Sequence, residues 1–394
     1  MTAAAIAPTR YPAFDVLRAL CMFYIAFFHA ALGYAEGFSW FVRAQERSAV
    51  LGFVVFLSMG WTLRVFFVLS GFFGYMVFQR SGWKRYAEHR LVRIGIPFVA
   101  VAIGTAHLLA LASGRPVRYL PLHTWFLQYL LLISFLVPAI FALLARARGG
   151  RLMALVDRWF VALVTTRWAP VLLAAATTPL LWIHDRTGTL QPDGLNLQLE
   201  PTVFVYYFAF FTFGWLLFRH AAALSALAST SIAYLAIGLA ARLVFFLLQM
   251  ERGVDGSGAT LAIDLGMVVT TSLYTWFVVL GAIGFFHGWV RVRGPIWRYL
   301  SDSSYWSYLF HVFPVVGLQT LLLGINLPPL LKFLIVCIGT AFTCLVTYRY
   351  FVRYTFIGWV LNGVRQRAGQ RERGEHRAPL GTASSALAHG ATDD

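Results

Sequence analysis

The sequence predicts an all-α, polytopic membrane protein of about ten transmembrane helices with no separate soluble domain, because apolar stretches of bilayer-spanning length recur along the whole chain. Two further observations agree. Only 12% of the residues are charged and 59% are hydrophobic, with a mean hydropathy of +0.69, where a soluble chain carries about a quarter charged residues. The basic residues also gather in short segments between the apolar runs, the pattern that orients membrane proteins.

The expected spans are 14–34, 50–78, 94–112, 124–145, 163–183, 202–218, 224–249, 259–288, 303–324 and 329–351. Asp15, Arg18 and His29 interrupt the first. The second exceeds what a bilayer needs, and Gly60 and Arg64 mark it as broken or tilted. The third follows Arg90-Leu91-Val92-Arg93, and the fourth opens at His123-Thr124-Trp125, with Trp125 placed as an interfacial anchor. The fifth carries Arg167 and Pro170, which makes it the weakest of the set. Arg242 in the seventh span and Asp264 in the eighth are charges at membrane depth, expected to pair with each other but with no role assigned. An even number of spans puts both termini on one side.

Charge selects that side. With the N-terminus inside, the cytoplasmic segments hold Arg80, Lys84, Arg85, Arg90 and Arg93, then Arg146, Arg148, Arg151 and Arg158, then Arg219, Arg291, Arg293 and Arg298. The opposite segments hold only Arg43, Arg47, Arg115, Arg118, Arg186 and Arg252. With the Arg-rich tail the ratio is about three to one, which predicts N-in and C-in. This distribution assigns the net charge of +16 to topology rather than to nucleic acid. The first apolar run is too long and too charged for a cleavable signal peptide. Cys21, Cys337 and Cys344 lie in expected spans without metal-ligand spacing, so neither a disulfide framework nor a metal is expected. Residues 1–355 form the expected membrane domain, and 356–394 an Arg-rich, disordered cytoplasmic tail. The loop from His184 to Glu200 gathers Asp185, Gln191, Asp193 and Asn196, a polar content that suits either a hydroxyl-rich acceptor or plain solvation.

An ionisable side chain at membrane depth costs about 2.5 kcal/mol or more on insertion scales and marks a functional site by default. Arg18 and His29 are separated by ten residues. Eleven steps of about 100° return to within about 20° of the start, so both lie on one helix face, offset by about 16 Å. Asp15 lies one turn below Arg18 on nearly the same face. The alternative is ordinary packing, with His29 bonded to a neighbouring helix and Arg18 reaching the headgroups.

Other segments carry possible chemistry. Arg90 and Arg93 share a face at the cytoplasmic start of a span, where two guanidiniums can clamp phosphate oxygens or simply mark topology. Arg64 opens the run Arg64-Val65-Phe66-Phe67-Val68-Leu69-Ser70-Gly71-Phe72, in which the Ser-Gly pair permits close helix approach and Ser70 can line a cavity. Ser304, Tyr305 and His311 place hydroxyls and a second imidazole in the ninth span, where His311 can line the same cavity as His29 or pack between helices.

Taken in order, these elements resemble a membrane acyltransferase family (the acyltransferase 3 group): Arg18 and His29 with ten residues between them, Arg90-x-x-Arg93, Ser70-Gly71-Phe72, and Ser304-Tyr305 through Tyr308-Leu309 to His311. The resemblance covers about residues 10–355. It is strongest to the branch associated with glucan biosynthesis, through Asp15 to Arg18, Val65 to Gln79, Arg90 to Pro97 and His123 to Leu127. The tract from Arg146 to Glu200 has no matching motif.

The resemblance implies a multi-pass bacterial inner-membrane enzyme that moves succinyl groups from cytoplasmic succinyl-CoA to hydroxyls of periplasmic glucans. Acyl-CoA (succinyl-CoA or acetyl-CoA) is then a co-substrate, and no permanently bound cofactor is expected. In that reading Arg18, Arg90 and Arg93 hold the donor phosphates, and Asp15 orients Arg18. His29 is general base or acyl carrier, with Ser70 or Tyr305 supporting the oxyanion. Three alternatives stay open: acetyl transfer to another envelope glycan or small molecule, a proton-coupled transporter or flippase, and a structural partner in glucan export. No inverted repeat favours the transporter.

Overall fold

The computed structural model describes residues 11–113, 116–117, 122–186, 192, 197–253, 256–291 and 294–363. Arg115, Arg118, Gln191, Asp193, Asn196, Arg293 and the tail from residue 364 lie outside the described residues. Within them the chain is helical, and the only β-contact is an isolated bridge between Ala35 and Ser48.

The first helices are α1 (Pro12–Leu32), α2 (Ala49–Ser58), α3 (Thr62–Arg90), α4 (Ile96–Ser113) and α5 (Trp125–Arg146). They are followed by α6 (Arg151–Thr165), α7 (Ala169–His184), α8 (Pro201–Arg219), α9 (Leu224–Arg252) and α10 (Leu261–Trp289). The last four are α11 (Pro295–Phe310), α12 (Val312–Leu321), α13 (Pro329–Thr347) and α14 (Phe356–Asn362). Their starts are written locally. A proline opens α1, α8, α11 and α13, where its missing N–H has no helical partner to lose. Ser48 and Thr260 cap α2 and α10, accepting from the amides of Leu51 and Ile263.

Seven helical stretches are long and apolar enough to cross a membrane, or eight if the bent pair α6–α7 counts as one span. The difference from ten lies where the backbone breaks. The expected 50–78 span divides at Gly60, whose φ of 98° is open to glycine, and which separates α2 from α3. The basic segment after it is not a loop: α3 runs on to Arg90, turning at Gly82 (φ 71°). Residues 91–95 then widen to a π-turn and lead into α4. The 163–183 span is corrected to two helices, α6 and α7, meeting at 116° around Arg167. The 303–324 span is broken at His311 into α11 and α12, because Pro314 has no N–H to offer the Phe310 carbonyl. Helical order also passes the boundary expected at residue 355: α14 buries Gly358, Val360 and Leu361.

The core is a large aromatic cluster in which α3 and α8 approach closely. A Cβ on Gly71 would meet the Phe211 carbonyl, and one on Gly214 would meet the Val68 carbonyl. Each glycine therefore lets the facing backbone through, the usual route to tight helix contact in a membrane protein.

Candidate active site

The α1 stripe does not line one cavity. Arg18 and Asp15 line a cavity of about 280 Å³ near the start of α1, together with Arg90, Arg93, Ser70, Ser304 and Tyr305. His29, about three turns beyond Arg18, lines a separate cavity of about 670 Å³ with Arg64, Trp125, His123 and Arg242. The two have no lining residue in common. Phe126 lies between them, fully buried, with its ring edge-on to Phe66 at 5.0 Å and to Tyr308 at 5.0 Å. α1, α3, α5 and α11 each give residues to both cavities, and the aromatic septum around Phe126 divides them.

In the smaller cavity every arginine is tethered. Arg18 donates to the Asp15 carboxylate at 3.1 Å and to Ser301 Oγ at 3.5 Å, while Ser301 donates to the Asp15 carbonyl. Arg90 is buried, with its guanidinium 4.9 Å from the Tyr86 ring centre and Nη2 3.5 Å from the Ser70 carbonyl. The reversal at Gly82 brings Arg90 back against Ser70, and Gly74 leaves the space, since a Cβ there would sit 2.7 Å from Arg90 Nη2. Arg93 is held through its backbone. Pro97 cannot donate to the Arg93 carbonyl, and Tyr305 Oη donates to it instead at 2.7 Å. The same device recurs in α5, where Pro138 frees the Ser134 carbonyl and Tyr86 donates to it at 2.8 Å.

These bonds remove the expected oxyanion donors from the chemistry at His29. The Tyr305 proton is spent on the Arg93 carbonyl, and Ser70 lines the arginine cavity.

Around His29 the bonding is directional. His311 is fully buried, with Nδ1 2.7 Å from the Tyr308 carbonyl and Nε2 2.7 Å from His29 Nδ1. A carbonyl only accepts, so His311 carries its proton on Nδ1 and, when neutral, presents a lone pair at Nε2. His29 must then donate from Nδ1, which leaves its own lone pair on Nε2. The two rings lie nearly parallel, 3° apart, with centres 5.0 Å from each other. One face of the His29 ring stacks on Trp40 at 4.8 Å and 17°. Gln319 fixes this stack: its Oε1 accepts from Trp40 Nε1 at 2.8 Å, and its Nε2 donates to the His29 and Ala30 carbonyls at the end of α1. Chemically this is a proton acceptor whose tautomer is set by a second group, itself set by a third, the logic of a catalytic triad without a carboxylate.

Three residues here were not singled out by sequence reasoning. Trp40 and Gln319 carry no signal in the chain, one on a connection and one in an apolar helix. His123 was noted only as part of the entry to α5. Its ring lies 5.6 Å from that of His311, and its carbonyl accepts from Tyr308 Oη at 2.5 Å. Arg64 and Trp125 border the His29 cavity, Arg64 with its guanidinium over the rings of Tyr206 and Tyr207 at 5.6 and 5.5 Å. The expected pairing of Arg242 with Asp264 is corrected: Asp264 accepts from Arg252 Nε at 2.9 Å, and Arg242 donates to the Phe56 carbonyl. No cluster of metal-ligating side chains occurs among the described residues.

Comparison with known proteins agrees with this arrangement at the level of family. Residues 11–349 match the profile described as an acyltransferase domain. Similar curated proteins include those named glucans biosynthesis protein C from Salmonella paratyphi B and Salmonella dublin, 26% identical over 318 residues that cover 75% of this chain and 80% of theirs. The protein of that name from Salmonella heidelberg is 26% identical over 331 residues. No solved structure matches. The chain belongs to the acyltransferase 3 family, as a membrane acyltransferase.

Proposed function

We propose that this protein transfers a succinyl group from cytoplasmic succinyl-CoA to hydroxyl groups of a periplasmic glucan, working in the inner membrane with both termini in the cytoplasm. The carrying observation is the His29–His311–Tyr308 chain, which leaves a lone pair on His29 Nε2 beside the larger cavity. The charge distribution supports a cytoplasmic arginine cavity and an outward histidine cavity.

In this reading Arg18, Arg90 and Arg93 receive the phosphates of acyl-CoA, which cannot enter lipid, and the pantetheine arm carries the thioester toward His29. The arm must displace the Phe126 ring edge to arrive. His29 Nε2 takes the proton of the glucan hydroxyl, and the oxygen attacks the thioester carbonyl. The C–S bond then breaks, and the imidazolium returns the proton to the departing CoA thiolate. While charged, His29 still donates from Nδ1 to His311. Attack by the same lone pair on the thioester gives a second route through an acyl-imidazole. The similarity to proteins named for glucan biosynthesis supports the acceptor class.

The test is thioester loss from labelled succinyl-CoA by the purified protein in nanodiscs, with and without glucan, for wild type and His29→Ala. Acceptor-dependent release of CoA by wild type and none by the variant is expected. Wild-type turnover by His29→Ala would overturn the assignment, and acyl label retained on the protein before acceptor is added selects the acyl-imidazole route.

A further inference from the structure

Arg242 lies midway along α9 and is only 5% exposed, yet it borders the same cavity as His29. Its Nε and Nη2 both donate to one oxygen, the Phe56 carbonyl, at 3.0 and 2.6 Å. Phe56 is in the last turn of α2, so this contact satisfies a carbonyl left over where the helix stops before Gly60. The ring of Phe56 lies 4.0 Å from the guanidinium, that of Phe245 4.7 Å and that of Tyr274 5.2 Å. Among the described residues Arg242 makes no ion pair. Asp264 is held by Arg252, and Glu36, on the same cavity wall, is exposed at the surface. Arg64, which lines the same cavity, is another cation.

A helix-capping contact explains two donors but not the charge. A neutral amide or hydroxyl caps a carbonyl equally well, as Tyr274 does for Leu57 at 3.2 Å. Burying a guanidinium among aromatic rings with a second arginine nearby is costly unless an anion completes the site. The remaining amino group, Nη1, has no hydrogen-bond partner among the described residues, and the guanidinium borders a cavity large enough for a small acid. We infer that Arg242, with Arg64 adding to the local positive potential, binds an anionic carboxylate carried by one of the two reactants, and so selects it over a neutral one. This rests on the reading of the His29 cavity as the place of acyl transfer. Two sources offer the same chemistry: the far end of a dicarboxylic acyl group, or an acidic sugar of the acceptor.

Binding to the full-length protein in nanodiscs separates the two without requiring turnover. Tryptophan emission (Trp40 and Trp125 lie by the cavity) follows titration with two pairs of probes. Monomethyl succinate against methyl butyrate tests the acyl end. A glucuronate-containing oligosaccharide against its neutral glucose counterpart tests the acceptor. In one pair the anionic member binds about 10- to 100-fold more tightly, the range expected for a charge-assisted contact. Arg242→Gln, which keeps an amide donor for the Phe56 carbonyl, abolishes that preference, and Arg242→Lys retains part of it. Equal binding within both pairs by wild type overturns the inference, as does a preference that survives in Arg242→Gln. The wild-type comparison decides even if the glutamine variant does not fold. Activity in His29→Ala would overturn the transfer reaction instead, through a different measurement.

Discussion

The two cavities of this protein hold their basic side chains in different ways. In the smaller one the arginines are spread over three separate supports: Arg18 on Asp15 and Ser301, Arg90 against Tyr86 and the Ser70 carbonyl, Arg93 through Tyr305. Their positions are fixed but their charge is only partly neutralised, which suits a ligand with several phosphates. In the larger one the imidazoles are linked to each other in series, so a change at His29 passes to His311 and ends on a backbone carbonyl. In the proposed function the first cavity holds the donor phosphates and the second moves the proton. The aromatic septum keeps their functions apart, and variants on each side should fail in different kinetic constants.

The sharpest contrast is expected at His29. His29→Ala should lower kcat by at least about 10³-fold, within the range for loss of a positioned base, while donor affinity measured by CoA binding stays within about twofold. His311→Ala is next. His311 touches no reactant but fixes the His29 tautomer, so kcat should fall about 10²-fold with KM for both substrates nearly unchanged. A merely structural role for His311 would show as lost folded protein in size-exclusion chromatography instead. On the other side of the septum, Arg90→Ala or Arg93→Ala should raise the donor KM about 10-fold with little change in kcat, as expected for a lost phosphate contact. If either arginine variant lowered kcat alone, or His311→Ala raised the donor KM alone, the division of labour would be wrong.

The sequence makes some of this plan readable and hides the rest for physical reasons. The spacing of Asp15, Arg18 and His29 places all three on one helix face, because helical periodicity acts within a single segment. The break at Gly60 and the Asp15–Arg18 contact are local in the same sense. What the stripe faces is not local. Whether Arg18 and His29 share a cavity depends on Phe66, Phe126 and Tyr308, which come from three other helices and meet only in the fold. The partner of Asp264 was missed because charge and depth alone suit Arg242 and Arg252 equally, and only the turn joining α9 to α10 decides between them. His123 and Gln319 were legible only as ordinary residues. The roles expected of Ser70 and Tyr305 at the oxyanion do not fit the geometry: a hydroxyl in a motif says nothing about where its one proton is already committed.

The smallest expected effect isolates position from charge in the arginine cavity. Gly74 carries no chemistry, but an added methyl would stand 2.7 Å from Arg90 Nη2. The guanidinium is the far end of a flexible side chain and can move, so Gly74→Ala should cost little stability and leave every charge in place. The Phe211 ring, 3.5 Å from the same added methyl, limits the direction in which the arginine can shift. The donor KM should rise about two- to fivefold, less than for Arg90→Ala, since a displaced guanidinium still attracts phosphate but no longer in the geometry of a paired contact. kcat with saturating donor should not change. The double variant Gly74→Ala with Arg90→Ala gives the decisive comparison: if Gly74 acts only through Arg90, the second change adds nothing to the donor KM of Arg90→Ala. Additive effects would mean that the glycine serves α3 packing instead, and that Arg90 is not held in place by the fold of the chain back at Gly82.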